Sequence, residues 1–188
     1  IKRSILVYQN SIKEKIFPQI LEFIGDFKFS TYVPSQVKKF KKSGLIPPFS
    51  VETNEDQITG MYKGVQLQLF ETYLQKWKYR GKRRYLVSVF NGLIIVLNMN
   101  KDFSGKTLVK QDRGSVSNWF ENRSSGLENV KLEDPKFEEF FEVYSTDQIE
   151  ARYLLTVSFM ERLLELAEIF DNAEIQLCFE DNKLLMTI

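Results

Sequence analysis

VQLQLFETYLQKWKYRGKRRYLVSVFNGLIIVLNM, residues 65–99, decides the fold. Two arms rich in aliphatic and aromatic residues, Val65–Lys78 and Tyr85–Met99, flank a cationic centre that contains Gly81. Arms of this composition read as strands, and the glycine between them reads as their turn. In the first arm Val65, Leu67 and Leu69 point one way while Phe70 and Leu74 point the other, so the strand is expected to bulge or to be covered on both faces. Asn91-Gly92 interrupts the second arm, which suggests a bulge or a second hairpin. Working outward, Gln57–Lys63 before a turn at Gly64 and Lys106–Lys110 after the hairpin extend it into a β-meander over 57–110.

Helical periodicity lies on either side. Ile5, Tyr8, Ile12, Ile16, Ile20, Phe23 and Phe27 recur at three- and four-residue spacing and predict an amphipathic helix over 5–27. Pro18 inside that pattern predicts a kink or a fresh start, because proline removes a donor and clashes with the preceding turn. A short helix fits Pro34 to Ser43, closed by Gly44. The polar stretch 111–128 predicts a mobile loop with a helical turn near Trp119-Phe120. Beyond it, Asp134-Pro135 opens a helix through Phe141, Ser145-x-x-Gln148 reads as a capping box for Thr146–Leu155, and Thr156 caps a helix to Phe170. Ile175–Phe179 and Leu184–Ile188, joined at Asp181-Asn182, predict a terminal hairpin. The expected fold is α+β: a curved antiparallel sheet packed by C-terminal helices, led by an N-terminal amphipathic helix. The expected domains are 1–28, an N-terminal helix, and 29–188, a single α+β domain.

A balanced total charge hides a split. Residues 1–120 carry 20 Lys and Arg against 9 Asp and Glu, and residues 121–188 carry 6 against 16. A basic region within a near-neutral chain points to an anionic partner and says nothing about fold. Sixteen Phe and eight Tyr supply ample core,. The longest apolar run, Leu93–Leu97, is strand-sized, far short of the roughly 18 residues a membrane-crossing helix needs. No signal peptide is visible.

Missing residue types exclude chemistry. The chain has no histidine and one cysteine. Within the chain this removes Ser-His-Asp and Cys-His catalysis, His-ligated haem, and the His-rich and Cys-rich zinc sites. No cofactor and no metal are expected. Cys178 reads as a packed residue. Ser104-Gly105-Lys106-Thr107 looks like the end of a phosphate-binding loop, but Asn100 stands where that motif needs its first glycine, and a strand follows. A hairpin turn is the reading preferred there. Asn122-Arg123-Ser124 is a glycosylation sequon by letter alone.

Three constellations could carry function. In the stretch from Lys76 to Tyr85, Lys76, Lys78, Arg80, Lys82, Arg83 and Arg84 supply charge. Strand alternation sets Lys76, Lys78 and Arg80 against Trp77 and Tyr79 on the opposite face. Cations interleaved with aromatics suit anionic headgroups, where rings sit at the interface, and also suit single-stranded nucleic acid, where bases stack on rings. A solvated tip with its aromatics packed inward is the plainer reading. Lys38, Lys39, Lys41 and Lys42 form a second basic cluster on the short helix. Lastly, Glu55, Asp56 and Glu71 lie in apolar context, where paired carboxylates could do acid–base work or hold a divalent cation. A buried pair of Glu71 with Arg152 is the expected structural alternative.

The series Glu55-Asp56, Gly60, Glu71, Phe90-Asn91-Gly92 and Lys101 to Thr107, with Phe141 through Leu163, resembles a bacterial family, Domain of Unknown Function 3137. The resemblance covers about residues 25–188. It implies a bacterial domain often preceded by hydrophobic segments, hence tethered to the inner membrane and facing the cytoplasm. On that ground a hydrophobic segment before Ile1 is expected. The resemblance carries over no activity and no catalytic residues.

The expected function is a non-enzymatic, membrane-tethered interaction module whose basic surface meets anionic lipid or an acidic protein, with nucleic acid the weaker reading. The alternatives are a histidine-free enzyme using Glu71 and Asp56, and a carrier of a hydrophobic ligand.

Overall fold

A computed structural model describes residues 2–111, 126–170 and 173–188, with side chains from Lys13 onward. Most of the expected loop 111–128, with the Trp119-Phe120 turn and the sequon, lies outside the described residues, as do the side chains of Ile5, Tyr8 and Ile12. The fold is α+β, and the strand pairings described within each unit are all antiparallel. The chain divides into two compact units, Ile1–Lys39 with Pro47–Asn98, and Phe40–Ile46 with Met99–Ile188.

In the first unit, helix α1 (Lys2–Ile24) leads into a meander of β1 (Asp26–Tyr32), β2 (Val51–Tyr62), β3 (Val65–Arg80) and β4 (Arg83–Asn98), adjacent in that order. Pro18 does not divide α1. The helix stops at Gly25, whose N–H still bonds the Leu21 carbonyl at 2.9 Å. Phe27 therefore belongs to β1, a strand that the helical spacing of Phe23 and Phe27 had hidden. Asn91-Gly92 does not interrupt β4 either. The irregularity lies nearby: Leu74 pairs with Phe90 and Gln75 with Ser88, so Val89 is the extra residue. A second bulge sits in β2, where Glu55 pairs with Glu71 but Ile58 pairs with Leu69. Asp56, inside it, adopts a φ of 50°, a left-handed conformation that Asp tolerates better than most residues.

The registers define two faces. One carries Phe70, Thr72, Leu74, Ile94 and Val96, all buried. Segment 35–37 is tied to this side, where Glu52 accepts from the Gln36 and Val37 N–H groups and Gln68 donates to Gln36. The other face carries the rows Phe29–Ile58–Leu69–Ile95 and Glu55–Glu71–Leu93. Here α1 is seated, with Phe17 stacked on Phe29 at 5.1 Å between centroids. From Lys76 onward β3 has no β2 partner and pairs only with β4. The expected helix at 34–43 is a shorter 3₁₀ turn, Val37–Ser43, closed by Gly44.

In the second unit the strands run in the order β9 (Lys183–Thr187), β8 (Gln176–Glu180), β5 (Thr107–Gln111), β7 (Phe141–Ser145) and β6 (Glu128–Asn129). Central β5 has Thr107, Leu108 and Val109 fully buried, which fits a strand with a neighbour on each edge and cover on both faces. Helices α2 (Pro135–Phe140), α3 (Gln148–Leu154) and α4 (Val157–Ile169) complete the unit, with α2 and α4 on the face that carries Phe141 and Phe179. Phe137 stacks on Phe141, and Phe159 of α4 and Phe103 both meet Phe179 of β8.

Three expectations change here. Ser145 is not a helix cap but the end of β7, with its hydroxyl against that of Thr107. Asp147 caps α3 instead, accepting from Ile149 and Glu150. Ser104-Gly105 is not a hairpin turn, because β5 pairs with β7 and β8. The segment docks on α3, where the Glu150 carboxylate accepts from the N–H groups of Ser104 at 2.9 Å and Gly105 at 2.8 Å.

Candidate functional site

Lys76 to Tyr85 form the end of the β3–β4 ribbon. The chain reverses through Gly81-Lys82, with Arg80 paired to Arg83. Gly81 has φ of 60° while Lys82 keeps a negative φ. A two-residue turn of that kind requires glycine at its first position. Alternation then places Lys76, Lys78, Arg80 and their opposite residues Val87, Tyr85 and Arg83 on one face, and Trp77, Tyr79, Leu86 and Arg84 on the other,.

All six cations are exposed, and among the described residues none forms an ion pair. Arg80 directly opposite Arg83 is unfavourable for the ribbon itself, since like charges across a strand pair repel. The Arg84 guanidinium lies over the Trp77 ring, 4.7 Å from its centroid, a favourable cation–π contact. Tyr79 is 73% exposed and Tyr85 45%. The tip's tyrosines are thus presented to solvent rather than packed inward, and Trp77 is half-buried beneath Arg84.

Lys38, Lys39, Lys41 and Lys42 are exposed on the 3₁₀ turn. Its N-terminal end is fixed by Glu52, which accepts from the Gln36 N–H at 2.7 Å, the Val37 N–H at 2.9 Å, the Ser35 hydroxyl and the Asn54 amide. Burial pushes that carboxyl up, but these four donors together hold it below its ordinary range,.

The carboxylates are arranged differently from the sequence expectation. Glu71 and Arg152 are both exposed, so the expected buried pair is not formed. Arg152 instead donates to the Gln148 and Lys131 carbonyls. Glu71 faces Glu55 across the strands, and the two line an open cavity of about 570 Å³ with Thr53, Thr72, Tyr73, Asn91, Gly92 and Leu93. The cation serving this cluster is Lys13 of α1, which bonds Asp56. That bond raises the Lys13 pKa first, burial opposes it, and the charges of Asp56, Glu71 and Glu55 add to the rise. No signal in the sequence named Lys13, because its approach depends on α1 folding back through Gly25 and on the β2 bulge aiming Asp56. Among the described residues no group of three or more Asp, Glu, Cys or His could hold a metal. Cys178 is buried, and loss of solvent pushes its thiol up to about 12.

No helix among the described residues is long and apolar enough to cross a membrane. Comparison with protein families matches residues 88–188 to the model for "Protein of unknown function (DUF3137)". Comparison with curated proteins finds no match. Among solved structures, the crystal structure of the mycobacterial trehalose monomycolate transport factor A, TtfA, is similar, with a TM-score of 0.52 and 15% identity over 86% of this chain and 74% of that one. At that identity the similarity speaks for the fold alone.

Proposed function

The chain belongs to the DUF3137 family of proteins of unknown function, and from that premise we propose that it is a non-enzymatic module whose β3–β4 tip docks on an anionic lipid surface, at the cytoplasmic face of a bacterial membrane. One observation carries the reading. Six exposed cations, none with an ion-pair partner among the described residues, are held at the end of a ribbon together with exposed Tyr79 and Tyr85. Tyrosine and tryptophan prefer the headgroup level, and each nearby cation adds about 1 kcal/mol at an anionic leaflet. If half of the six engage, the gain of about 3 kcal/mol corresponds to an affinity difference on the order of 100-fold over a neutral surface. The mycobacterial neighbour is a trehalose monomycolate transport factor, which agrees with a lipid-facing module.

The test replaces Lys76, Lys78, Arg80, Lys82, Arg83 and Arg84 with Ala and measures co-sedimentation with phosphatidylcholine–phosphatidylglycerol vesicles. The reading expects binding to fall to the level seen with phosphatidylcholine alone. Retained binding rejects it, and transfer of binding to an acidic protein with none to vesicles favours the protein partner instead. The acid-lined cavity supports a second, weaker reading as a carrier of an amphiphilic ligand. It is open and bordered by Leu93, and native mass spectra showing co-purified lipid would favour it,.

A further inference from the structure

Among the described residues, helix α1 presents an exposed apolar surface. Ile16, Ile20, Phe23 and Ile24 stand at i, i+4, i+7 and i+8 and are 46%, 51%, 93% and 59% exposed. At about 100° per residue they span roughly 100° of the circumference, centred about 110° from the buried Leu21 that faces the sheet. Phe17, stacked on Phe29, and Lys13, bonded to Asp56, also face the sheet, so the stripe occupies one flank of the helix, while exposed Lys15, Gln19 and Glu22 lie opposite the sheet,. At the same end of the sheet Tyr62, which pairs with Val65 and so points to the α1 side, is about half exposed, with the Lys63 ammonium 5.3 Å from its ring centroid, whereas Met61 pairs with Gln66 and points to the other side. An exposed stripe of four large apolar side chains marks an interaction site.

The registers relate this patch to the tip. Helix α1 sits on the sheet side that carries Phe29, Ile58 and Leu69. On β3 the same side continues through Glu71 and Tyr73 to Trp77 and Tyr79, which oppose Leu86 and Arg84. Thus the side of the sheet bearing α1 is also the aromatic side of the tip. We propose that the α1 stripe and the aromatic side of the tip contact one and the same anionic bilayer, with α1 lying in the boundary between headgroups and acyl chains. This rests on the reading that the tip docks on an anionic membrane. The charge pattern agrees: Arg84 and Lys63 flank the two apolar ends, as interfacial segments require. Glu55 and Glu71 lie between them on the same side and would be repelled. They sit on the sheet, however, where Lys13 of α1 offsets part of their charge.

The experiment attaches an environment-sensitive fluorophore at single introduced thiols, Phe23→Cys, Tyr79→Cys and, as a control on the other sheet side, Lys28→Cys. The buried native Cys178 stays unlabelled. All three positions are exposed, so the variants fold. Phosphatidylcholine–phosphatidylglycerol vesicles should blue-shift the probe at positions 23 and 79 but not at 28, and Phe23→Asp should weaken vesicle binding by about tenfold. A shift at 79 without one at 23 overturns this inference and leaves the tip reading standing. A shift at 23 without one at 79, or equal shifts at all three, overturns the shared surface. No shift anywhere overturns both readings.

Discussion

Glu150→Gln tests whether the second unit is organised as described. Glu150 is 7% exposed and opens the first turn of α3, and its two oxygens accept from consecutive N–H groups in the segment leading into central β5. Burial pushes its carboxyl up, but the amides of Ser104 and Gly105, the Ser104 hydroxyl and the Lys101 charge together hold it below its ordinary range. Glutamine keeps the shape and one acceptor, yet turns an NH₂ donor toward one of the two N–H groups. Losing a hydrogen bond to a charged group costs about 1.5–3 kcal/mol. For a chain of this size that corresponds to a fall of about 3–12 °C in Tm. The pH dependence has a definite sign. A carboxyl whose folded pKa lies below its unfolded one stabilises above the unfolded value, here the ordinary 4.5, and that contribution is lost as pH falls through the folded value,. Urea titrations followed by circular dichroism should therefore show the full difference between the two proteins at pH 7 and a shrinking difference below pH 4.5. A difference under about 0.5 kcal/mol at pH 7, within the range of an unremarkable surface substitution, or one that grows on acidification, would refute the reasoning.

The other predictions concern single contacts. Gly105→Ala places a Cβ 2.8 Å from Thr146 Oγ1 and 2.9 Å from Asp147 Cβ, so it should destabilise by about 1–3 kcal/mol in the same urea assay, and a neutral outcome would show that the segment does not dock as described. Asp56→Asn removes the charge that pairs with Lys13 of α1, whose side chain is one-third exposed, and keeps a residue that tolerates the left-handed φ,. The cost should stay near or below about 1 kcal/mol, while amide exchange in α1 accelerates; unchanged exchange would mean that Phe17 and Leu21 hold the helix unaided. Native Cys178, with its thiol pushed up to about 12 and buried, should resist alkylation at pH 8 until the protein is unfolded, and labelling under native conditions would contradict its placement.

The strands were legible where composition and alternation agree. Val65–Lys78 and Tyr85–Met99 became β3 and β4 with small extensions, because β-branched and aromatic runs around a glycine leave little else to form. β1 and β7 were hidden. Phe27 and Phe29 also fit helical or short extended readings, and Phe141–Ser145 follows a strong helix start so closely that its own alternation passes as helix. The tip residues were legible as a cluster, and their exposure follows from β2 ending at Val51. The partner of the carboxylates was not legible. Asp56 meets Lys13 across 43 residues, a contact set by one bulge and one reversal at Gly25 rather than by any local pattern. Arg152 looked available as a cation on the helix after Ser145, yet it donates to the Gln148 and Lys131 carbonyls.

The most direct measurement of the central claim is the affinity of the intact chain for vesicles as the phosphatidylglycerol fraction rises, taken at low and at high salt. The account predicts a steep gain with anionic content that collapses as the salt shortens the screening length. Affinity that follows neither lipid charge nor ionic strength would contradict it.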